Sequence, residues 1–300
     1  MIVTRSLKDQ SWIDISSPTK EELNALSIAG GVSPLLTKDL LTPTPKQHVT
    51  VFGNSIYIVL RIPVFNHNKL VASEQEVDFI ITPNSVITGR YDSIDALHHF
   101  AKQIEVDEIL HKGASSHLFF GLIREVYNFL FDELAYFEDW VKVIEKSIFE
   151  GQEKEMVWSI SAAERNLLNF KRVLSPHRGV WQDVLESCEN DFSPEFKKDL
   201  RGVVNEWERL VVSISDLSEM IDELRDTNNA LLSTKQNEIM KLFTIMAFVT
   251  FPLSLVASIF GMNTAHMPII GNLHDFWIVM SIMVLMSLAM FAYFKYKRWI

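Results

Sequence analysis

Three residues near the C-terminus, Gly261-Met262-Asn263, combine groups that suit a hydrated divalent cation. Mg²⁺ holds an octahedron of water molecules and gives them up reluctantly. A site that accepts the hydrated ion needs neutral oxygen donors, and the Asn263 amide and the carbonyls of Gly261 and Met262 are such donors. Glycine also permits backbone conformations that turn carbonyls away from a helix. The alternative is a helix C-cap, where Gly and Asn are both common.

The motif lies between two apolar segments, residues 242–260 and 276–294. Each is long enough to cross a hydrocarbon core of about 30 Å. Basic residues flank this region on its outer ends, at Lys235, Lys241, Lys295, Lys297 and Arg298, and the loop 261–275 has none. The positive-inside rule then predicts a multi-pass protein of the plasma (inner) membrane with both termini in the cytoplasm. The basic flanks disfavour the alternative, a buried hairpin of a soluble protein.

One face of the first apolar segment has the composition of an ion path. Helical spacing backwards from Gly261 gives Asn237, Met240, Phe243, Thr244, Ala247, Phe251, Ser254 and Ser258. We call these residues the pore stripe. The two serines offer hydroxyls to a hydrated ion, and Met240, Phe243 and Phe251 suit apolar collars that gate by excluding water. For Ser254 and Ser258, a small-residue stripe for helix packing is the alternative.

The remaining chain must position this segment. Residues 1–112 predict an N-terminal α/β domain, with hairpins at Gly53-Asn54 and Pro83-Asn84. Residues 113–192 show helical periodicity and predict a helical region. A stalk helix is predicted over 193–260, continuing into the membrane at 242–260. The fold class is therefore an α+β cytoplasmic domain, a long α-helical stalk and two C-terminal transmembrane helices, with an outer loop 261–275, a second span 276–294 and a basic tail 295–300.

The stalk carries apolar residues at alternating steps of three and four, the spacing of a coiled-coil seam. They are Leu200, Val203, Trp207, Leu210, Ile214, Leu217, Ile221, Leu224 and Leu231, with Asn228 in one slot. We interpret the seam as favouring self-association over packing on the helix's own domain. One hairpin cannot enclose a pore, so the partners predicted are further copies of the chain, the bilayer and divalent cations.

Gly261-Met262-Asn263 between two C-terminal apolar segments, followed by Met267-Pro268 and a basic tail, resembles the CorA family of magnesium and cobalt channels. Pro252 within the first segment also matches. The resemblance implies a funnel-shaped homo-oligomer, a pentamer, that conducts Mg²⁺, and also Co²⁺ or Ni²⁺, along the membrane potential through a ring of Gly-Met-Asn motifs. It further implies Mg²⁺ as a regulatory ion, sensed by cytosolic acids between neighbouring subunits.

The sequence departs from the family pattern in two places. The outer loop has no acid before Asp275, and His266 and His274 stand there instead. Imidazole suits Zn²⁺, Co²⁺ or Ni²⁺ better than Mg²⁺. Aligning the stalk without gaps from Asn263 places Gly202 near the position where the family resemblance implies a sensing Asp. The candidate regulatory acids near it are Asp199 and Glu206, with Glu76 and Asp78 as possible partners from the N-terminal domain.

Charge and motif content argue against two classes of function, nucleic-acid binding and catalysis. The net charge is −10 and the pI about 5.4, which argues against nucleic-acid binding because that needs a basic patch. No recognised catalytic motif occurs, so we do not expect an enzyme. Three hypotheses stay open: a CorA-like Mg²⁺ channel, a zinc transporter of the related branch, and a membrane-anchored signalling protein whose helix transmits state to the soluble domain.

Overall fold

The computed structural model describes residues 2–7, 10–30, 40–91, 95–106, 115–187, 194–263, 269 and 274–299. Packing divides the chain into two units, Met1–Asp226 and Thr227–Ile300. The division falls inside one long helix, which contributes to both units. The residue bounds predicted above for the domains stay predictions.

The first unit contains a six-stranded sheet. Its strands are β1 Ile2–Leu7, β2 Gln10–Ser16, β3 His48–Phe52, β4 Ser55–Asn66, β5 Val71–Ile81 and β6 Ser85–Arg90. The order across the sheet is β1-β2-β6-β5-β4-β3. β2 and β6 are parallel, and every other neighbouring pair is antiparallel. The sheet is therefore mixed, which fits the predicted α+β class.

The two predicted hairpins are present. β3 and β4 meet with Phe52 opposite Ser55, and Gly53 between them has a φ of 58°, a conformation that favours glycine. β5 and β6 pair through Ile81 and Val86. β4 and β5 are buried over most of their length because helices cover both faces of the sheet.

Strands β1 and β2 were not predicted. Trp12 and Ile15 of β2 are fully buried, but Asp14 between them is buried as well. Its carboxylate accepts a hydrogen bond from the Thr88 hydroxyl at 2.8 Å and pairs with Arg90 at 3.1 Å. A buried acid breaks the apolar alternation by which a strand is recognised.

Seven helices complete the described chain. They are α1 Lys20–Gly30, α2 Asp95–Val106, α3 Ser115–Phe149, α4 Glu153–Leu174, α5 His177–Ser187, α6 Pro194–Phe260 and α7 Asp275–Tyr296. α1 packs on one face of the sheet, where Leu23 and Leu26 join the cluster around Ile80. Phe79, the neighbour of Ile80, points to the other face and contacts Phe119 of α3 at 5.4 Å.

The seam of the stalk serves a different purpose from the predicted one. Its residues from Leu200 to Ile221 are buried within the single chain, and the Trp207 indole donates to the Leu174 carbonyl of α4 at 2.9 Å. The preference for self-association through this part was therefore wrong. A three-and-four spacing shows that a helix face is covered, but it does not show whether the cover is a copy or the same chain.

The second unit consists of the C-terminal part of α6 and of α7. Both helices contain windows with a mean hydropathy of 2.1 that are almost entirely unburied, so both are long and apolar enough to cross a membrane. Pro252 lies within α6. Phe294 of α7 is buried in this unit and its ring meets Phe248 of α6 edge-on at 6.4 Å.

Candidate functional site

The pore stripe lies on one outward side of α6 in the single chain. Its steps of three and four residues keep it on one face of a regular helix. Asn237, Ser254 and Ser258 are exposed, and so are Met240, Phe243 and Phe251, whose exposed fractions are 58%, 62% and 73%. Ile245, in contrast, is buried. The stripe is thus available to line a path or to meet further copies.

Two members of the stripe are partly covered. Thr244 and Ala247 are half-buried, and the Thr244 hydroxyl donates to the Met240 carbonyl at 2.8 Å. A hydroxyl that bonds back to its own helix in this way still has an oxygen lone pair free to accept. Thr244 therefore remains able to accept a hydrogen bond from an ion's water shell.

Gly261 is the last residue tied to α6 by a full helical hydrogen bond. Its N–H donates to the Ala257 carbonyl at 2.9 Å, four residues back, and the Met262 N–H donates to the Ile259 carbonyl at 3.2 Å, only three residues back. Gly261 does not use a positive φ, because among the described glycines only Gly53 and Gly151 have one; the predicted turning of its carbonyl towards an axis stays a prediction. A Cβ at 261 would lie 3.0 Å from the Ala257 oxygen, so glycine here relieves crowding at the helix end.

The motif ends in solvent-facing groups. Gly261, Met262 and Asn263 are all exposed in the single chain. Asn263 thus follows the end of α6 as an exposed residue, and the C-cap and ligand interpretations both stay predictions.

The outer loop is described only at residues 261–263, 269 and 274–275. His266 lies outside the described residues. His274 precedes α7, where its carbonyl accepts from the Ile278 N–H at 3.1 Å. The Asp275 carboxylate accepts from the Phe276 N–H at 2.7 Å, and an acid in the first turn of a helix is favoured by the helix dipole. The first acid of the loop thus has a structural task at the start of α7.

Glu76 and Asp78, both on β5, are buried inside the first unit. The Glu76 carboxylate accepts from the Thr44 N–H at 2.7 Å and lies 3.6 Å from the Arg61 guanidinium. The Asp78 carboxylate accepts from the Tyr91 hydroxyl at 3.3 Å. Burial of this degree leaves neither side chain on the surface of the protomer.

Asp199 and Glu206, both on α6, share one cation. Arg124 of α3 lies 3.5 Å from the Asp199 carboxylate and 3.6 Å from that of Glu206. Burial raises the pKa of Glu206, and the charges of Arg124 and Arg209 oppose that rise. A Cβ at Gly202 would lie 2.8 Å from a guanidinium nitrogen of Arg124. The arginine therefore rests against α6 at the one position in this turn that has no side chain.

The four candidate acids do not form one cluster in the protomer. Among the residues that the structure describes, no group of three or more His, Cys, Asp or Glu side chains is placed to hold a metal ion. Sequence reasoning missed Arg124 altogether. No spacing rule connects residue 124 with residues 199 and 206, because only the fold brings α3 and α6 together.

Comparison with known proteins identifies the family. The sequence profile described as CorA-like Mg²⁺ transporter protein matches residues 8–298. The chain belongs to this family. The CorA resemblance is thereby confirmed, and it extends over the soluble region as well as the membrane helices.

Individual CorA proteins agree over nearly full length. The cobalt/magnesium transport protein CorA of Thermotoga maritima is 26% identical over 99% of this chain and 85% of its own. The protein of the same name from Methanocaldococcus jannaschii is 24% identical over 96% of this chain and 91% of its own. The complete structure of the CorA magnesium transporter from Methanocaldococcus jannaschii superposes with a TM-score of 0.83, covering 97% of this chain and 92% of that one at 22% identity. The CorA fold is therefore present from the sheet to α7.

Proposed function

We propose that the protein is a passive channel for divalent cations, with Mg²⁺ as its first substrate, formed by several copies around an axis. The main observation in favour of a channel is the pore stripe, an exposed face of α6 that ends at the exposed residues Gly261-Met262-Asn263. Membership of a family of Mg²⁺ transporters supports the substrate. The family resemblance gives five as the number of copies.

The motif is proposed to bind the ion with its water shell. A ring of Asn263 amides supplies oxygens and N–H groups to those waters, and carbonyls at the end of α6 add further acceptors. Neutral amide and carbonyl groups suit an ion that dehydrates reluctantly. They replace the hydrogen bonds that the ion's water shell makes with bulk water, and they do not hold the ion too tightly to leave.

The membrane potential is sufficient as a driving force. A charge that moves down 100 mV gains about 2.3 kcal/mol, so a divalent cation gains about 4.6 kcal/mol. This requires the predicted orientation, with both termini in the cytoplasm of the plasma (inner) membrane. The proposed entry is then the loop 261–275, and the exit lies beyond Asn237.

Zn²⁺ is the second candidate substrate. The loop between α6 and α7 carries no acid before Asp275, and two histidines, His266 and His274, take that region. Imidazole nitrogen binds Zn²⁺ or Co²⁺ better than Mg²⁺. The two candidates share the same architecture and differ only in the ranking of ions.

The test is ion uptake into liposomes that contain the full-length protein, under an imposed inside-negative potential. Wild type is compared with Asn263→Ala and with Asn205→Ala, an exposed residue on the soluble part of α6. Mg²⁺, Zn²⁺ and Co²⁺ are measured separately, after Mg²⁺ is removed from the protein. We expect uptake that Asn263→Ala lowers at least tenfold and Asn205→Ala leaves unchanged.

Each outcome distinguishes the hypotheses. A ranking led by Mg²⁺ supports the first candidate and one led by Zn²⁺ supports the second. No uptake of any ion by a well-folded oligomer would remove the transport proposal and favour the signalling hypothesis.

A further inference from the structure

A groove of about 540 Å³ lies between α6 and α7 in the second unit. Its lining includes Phe248 of α6 together with Met286, Met290, Phe294, Lys297 and Trp299. The Trp299 ring stacks on Phe294 with centroids 5.8 Å apart and planes 23° apart. The backbone N–H of Trp299 donates to the backbone carbonyl of Phe294 at 2.9 Å. The chain after α7 is therefore folded back to close one end of the groove.

The groove changes character along its length. Met286, Met290 and Phe294 follow one another at four-residue steps and give one apolar face of α7. Lys297 continues the same face at the end of the helix, beside the Trp299 ring. The distance from residue 286 to residue 297 along a helix is about 16 Å. This is close to half of a hydrocarbon core of about 30 Å, which is the depth of a single lipid leaflet.

The charged residues at the C-terminal end of α7 all have one sign. Lys295, Lys297 and Arg298 lie together, and residues 276–300 contain no Asp or Glu. Tryptophan and lysine at the end of a membrane helix are typical of the interface between lipid tails and headgroups. Basic groups at that level attract anionic headgroups.

We propose that this groove binds one phospholipid with an anionic headgroup. An acyl chain lies along Met286, Met290 and Phe294, and the phosphate pairs with the Lys297 ammonium. The inference rests on the proposed insertion of the second unit in a bilayer but not on ion transport. A free phosphate does not account for the apolar length of the groove, and a second copy of the chain does not account for the lysine at its end.

The experiment measures lipid binding to the full-length protein in detergent by native mass spectrometry. The probes are dioleoyl phosphatidylglycerol, dioleoyl phosphatidylcholine and glycerol 3-phosphate. Lys297→Gln is compared with Lys295→Gln, which removes the same charge two residues away, outside the groove lining. Ala289→Trp fills the groove while keeping every charge, since Ala289 is one of the lining residues.

We expect phosphatidylglycerol to bind more tightly than phosphatidylcholine and glycerol 3-phosphate not to bind. Lys297→Gln should weaken phosphatidylglycerol binding about fivefold, the equivalent of about 1 kcal/mol for a basic residue near anionic lipid. Lys295→Gln should have less than half that effect, and Ala289→Trp should remove the bound lipid without changing the subunit number.

Three results would overturn the proposal. One is equal weakening by Lys297→Gln and Lys295→Gln, which would indicate only diffuse charge attraction. Another is full lipid binding by Ala289→Trp. The third is a changed subunit number for Ala289→Trp with lipid binding intact, which would show that another copy of the chain covers the groove. None of these results depends on whether the protein transports ions.

Discussion

The hydroxyl of Tyr127 lies 2.9 Å from Nδ1 of His177, and both side chains are fully buried. The Trp181 indole donates to the same hydroxyl at 2.9 Å, and Nε2 of His177 lies 2.8 Å from the Arg61 carbonyl. The Arg61 carbonyl can only accept, so Nε2 of His177 carries a proton. Burial lowers the pKa of His177 to about 4, so the imidazole is neutral at pH 7 and its Nδ1 accepts from the Tyr127 hydroxyl.

This arrangement makes the stability of the first unit depend on pH. Burial lowers the pKa of His177 from 6.5 to about 4. The unfolded chain binds the proton more readily than the folded one, so stability is full above pH 6.5 and falls as the pH drops towards 4. The loss at the lower limit is about 3 kcal/mol. Melting of the full-length protein in detergent between pH 7 and pH 4 measures it.

The control compares two histidine variants. His177→Gln should be less stable at pH 7 but should lose less further stability on acidification. His99→Gln, an exposed residue of α2, should keep the wild-type pH profile. An unchanged acid-induced loss in His177→Gln would mean that other groups cause it.

Asn166 of α4 fastens the turn between β4 and β5. Its amide oxygen accepts from the Ala72 N–H at 2.7 Å and its nitrogen donates to the Leu70 carbonyl at 2.9 Å. Leu70 has a φ of 51°, unusual for a residue with a side chain. We expect Asn166→Ala to cost about 2 kcal/mol because it removes hydrogen bonds to two partly buried backbone groups at about 1 kcal/mol each.

A loss of that size lowers the melting temperature of a unit of about 200 residues by about 5 °C. Thermal unfolding monitored by tryptophan fluorescence gives the value, with Asn205→Ala as the matched exposed control. A shift within 1 °C of that control, at about the precision of such scans, would contradict the assigned role.

Arg124 is expected to act as a built-in cation for Asp199 and Glu206. Arg124→Gln removes a charge that opposes the raised pKa of Glu206, so the variant should lose stability relative to wild type as the pH rises above 4.5, the ordinary pKa of a glutamate. If these acids can hold a regulatory ion, millimolar Mg²⁺ should restore the melting temperature of Arg124→Gln. This rise in melting temperature with Mg²⁺ should be larger in Arg124→Gln than in the double variant that also carries Asp199→Asn. Equal responses to Mg²⁺ in both variants would exclude Asp199 from such a site.

The collar role of Met240 can be tested against a residue of the same type. Met240 and Met246 are both exposed on α6, but six residues of helix place them about 120° apart. Met240→Ser should raise ion flux severalfold at low driving force, because a polar ring no longer excludes water. Met246→Ser should leave flux unchanged. Similar flux in the two variants would mean that Met240 does not face the path.

Helical periodicity predicted the helices from residue 115 onwards, and the turn residues Gly53-Asn54 and Pro83-Asn84 predicted the two hairpins. β4 and the helices of the first unit bury apolar faces, so their apolar residues recur at regular spacing. β2 was missed because Asp14 occupies a buried position in it. Its partners Thr88 and Arg90 lie far along the chain, and only the parallel pairing with β6 brings them together.

The candidate site also has one part that could be predicted from the sequence and one part that could not. The pore stripe follows from helix geometry and needs no tertiary information, so the sequence could place it. The surroundings of the four acids could not be predicted, since Arg61, Tyr91 and Arg124 come from separate elements. The stalk seam was predicted as a covered face, but the covering residue near Trp207 belongs to α4 of the same chain.

Pro252 has no amide hydrogen, so the Phe248 carbonyl four residues earlier receives no helical hydrogen bond from residue 252. In hydrocarbon, an unsatisfied carbonyl costs several kcal/mol, and that cost falls when a bend admits water or a neighbouring donor. The bending stiffness of α6 is consequently reduced at Pro252. The collar residues before Pro252 and the motif after it can change their relative tilt without breaking another backbone hydrogen bond, which gives the proposed channel a mechanical joint at a fixed depth.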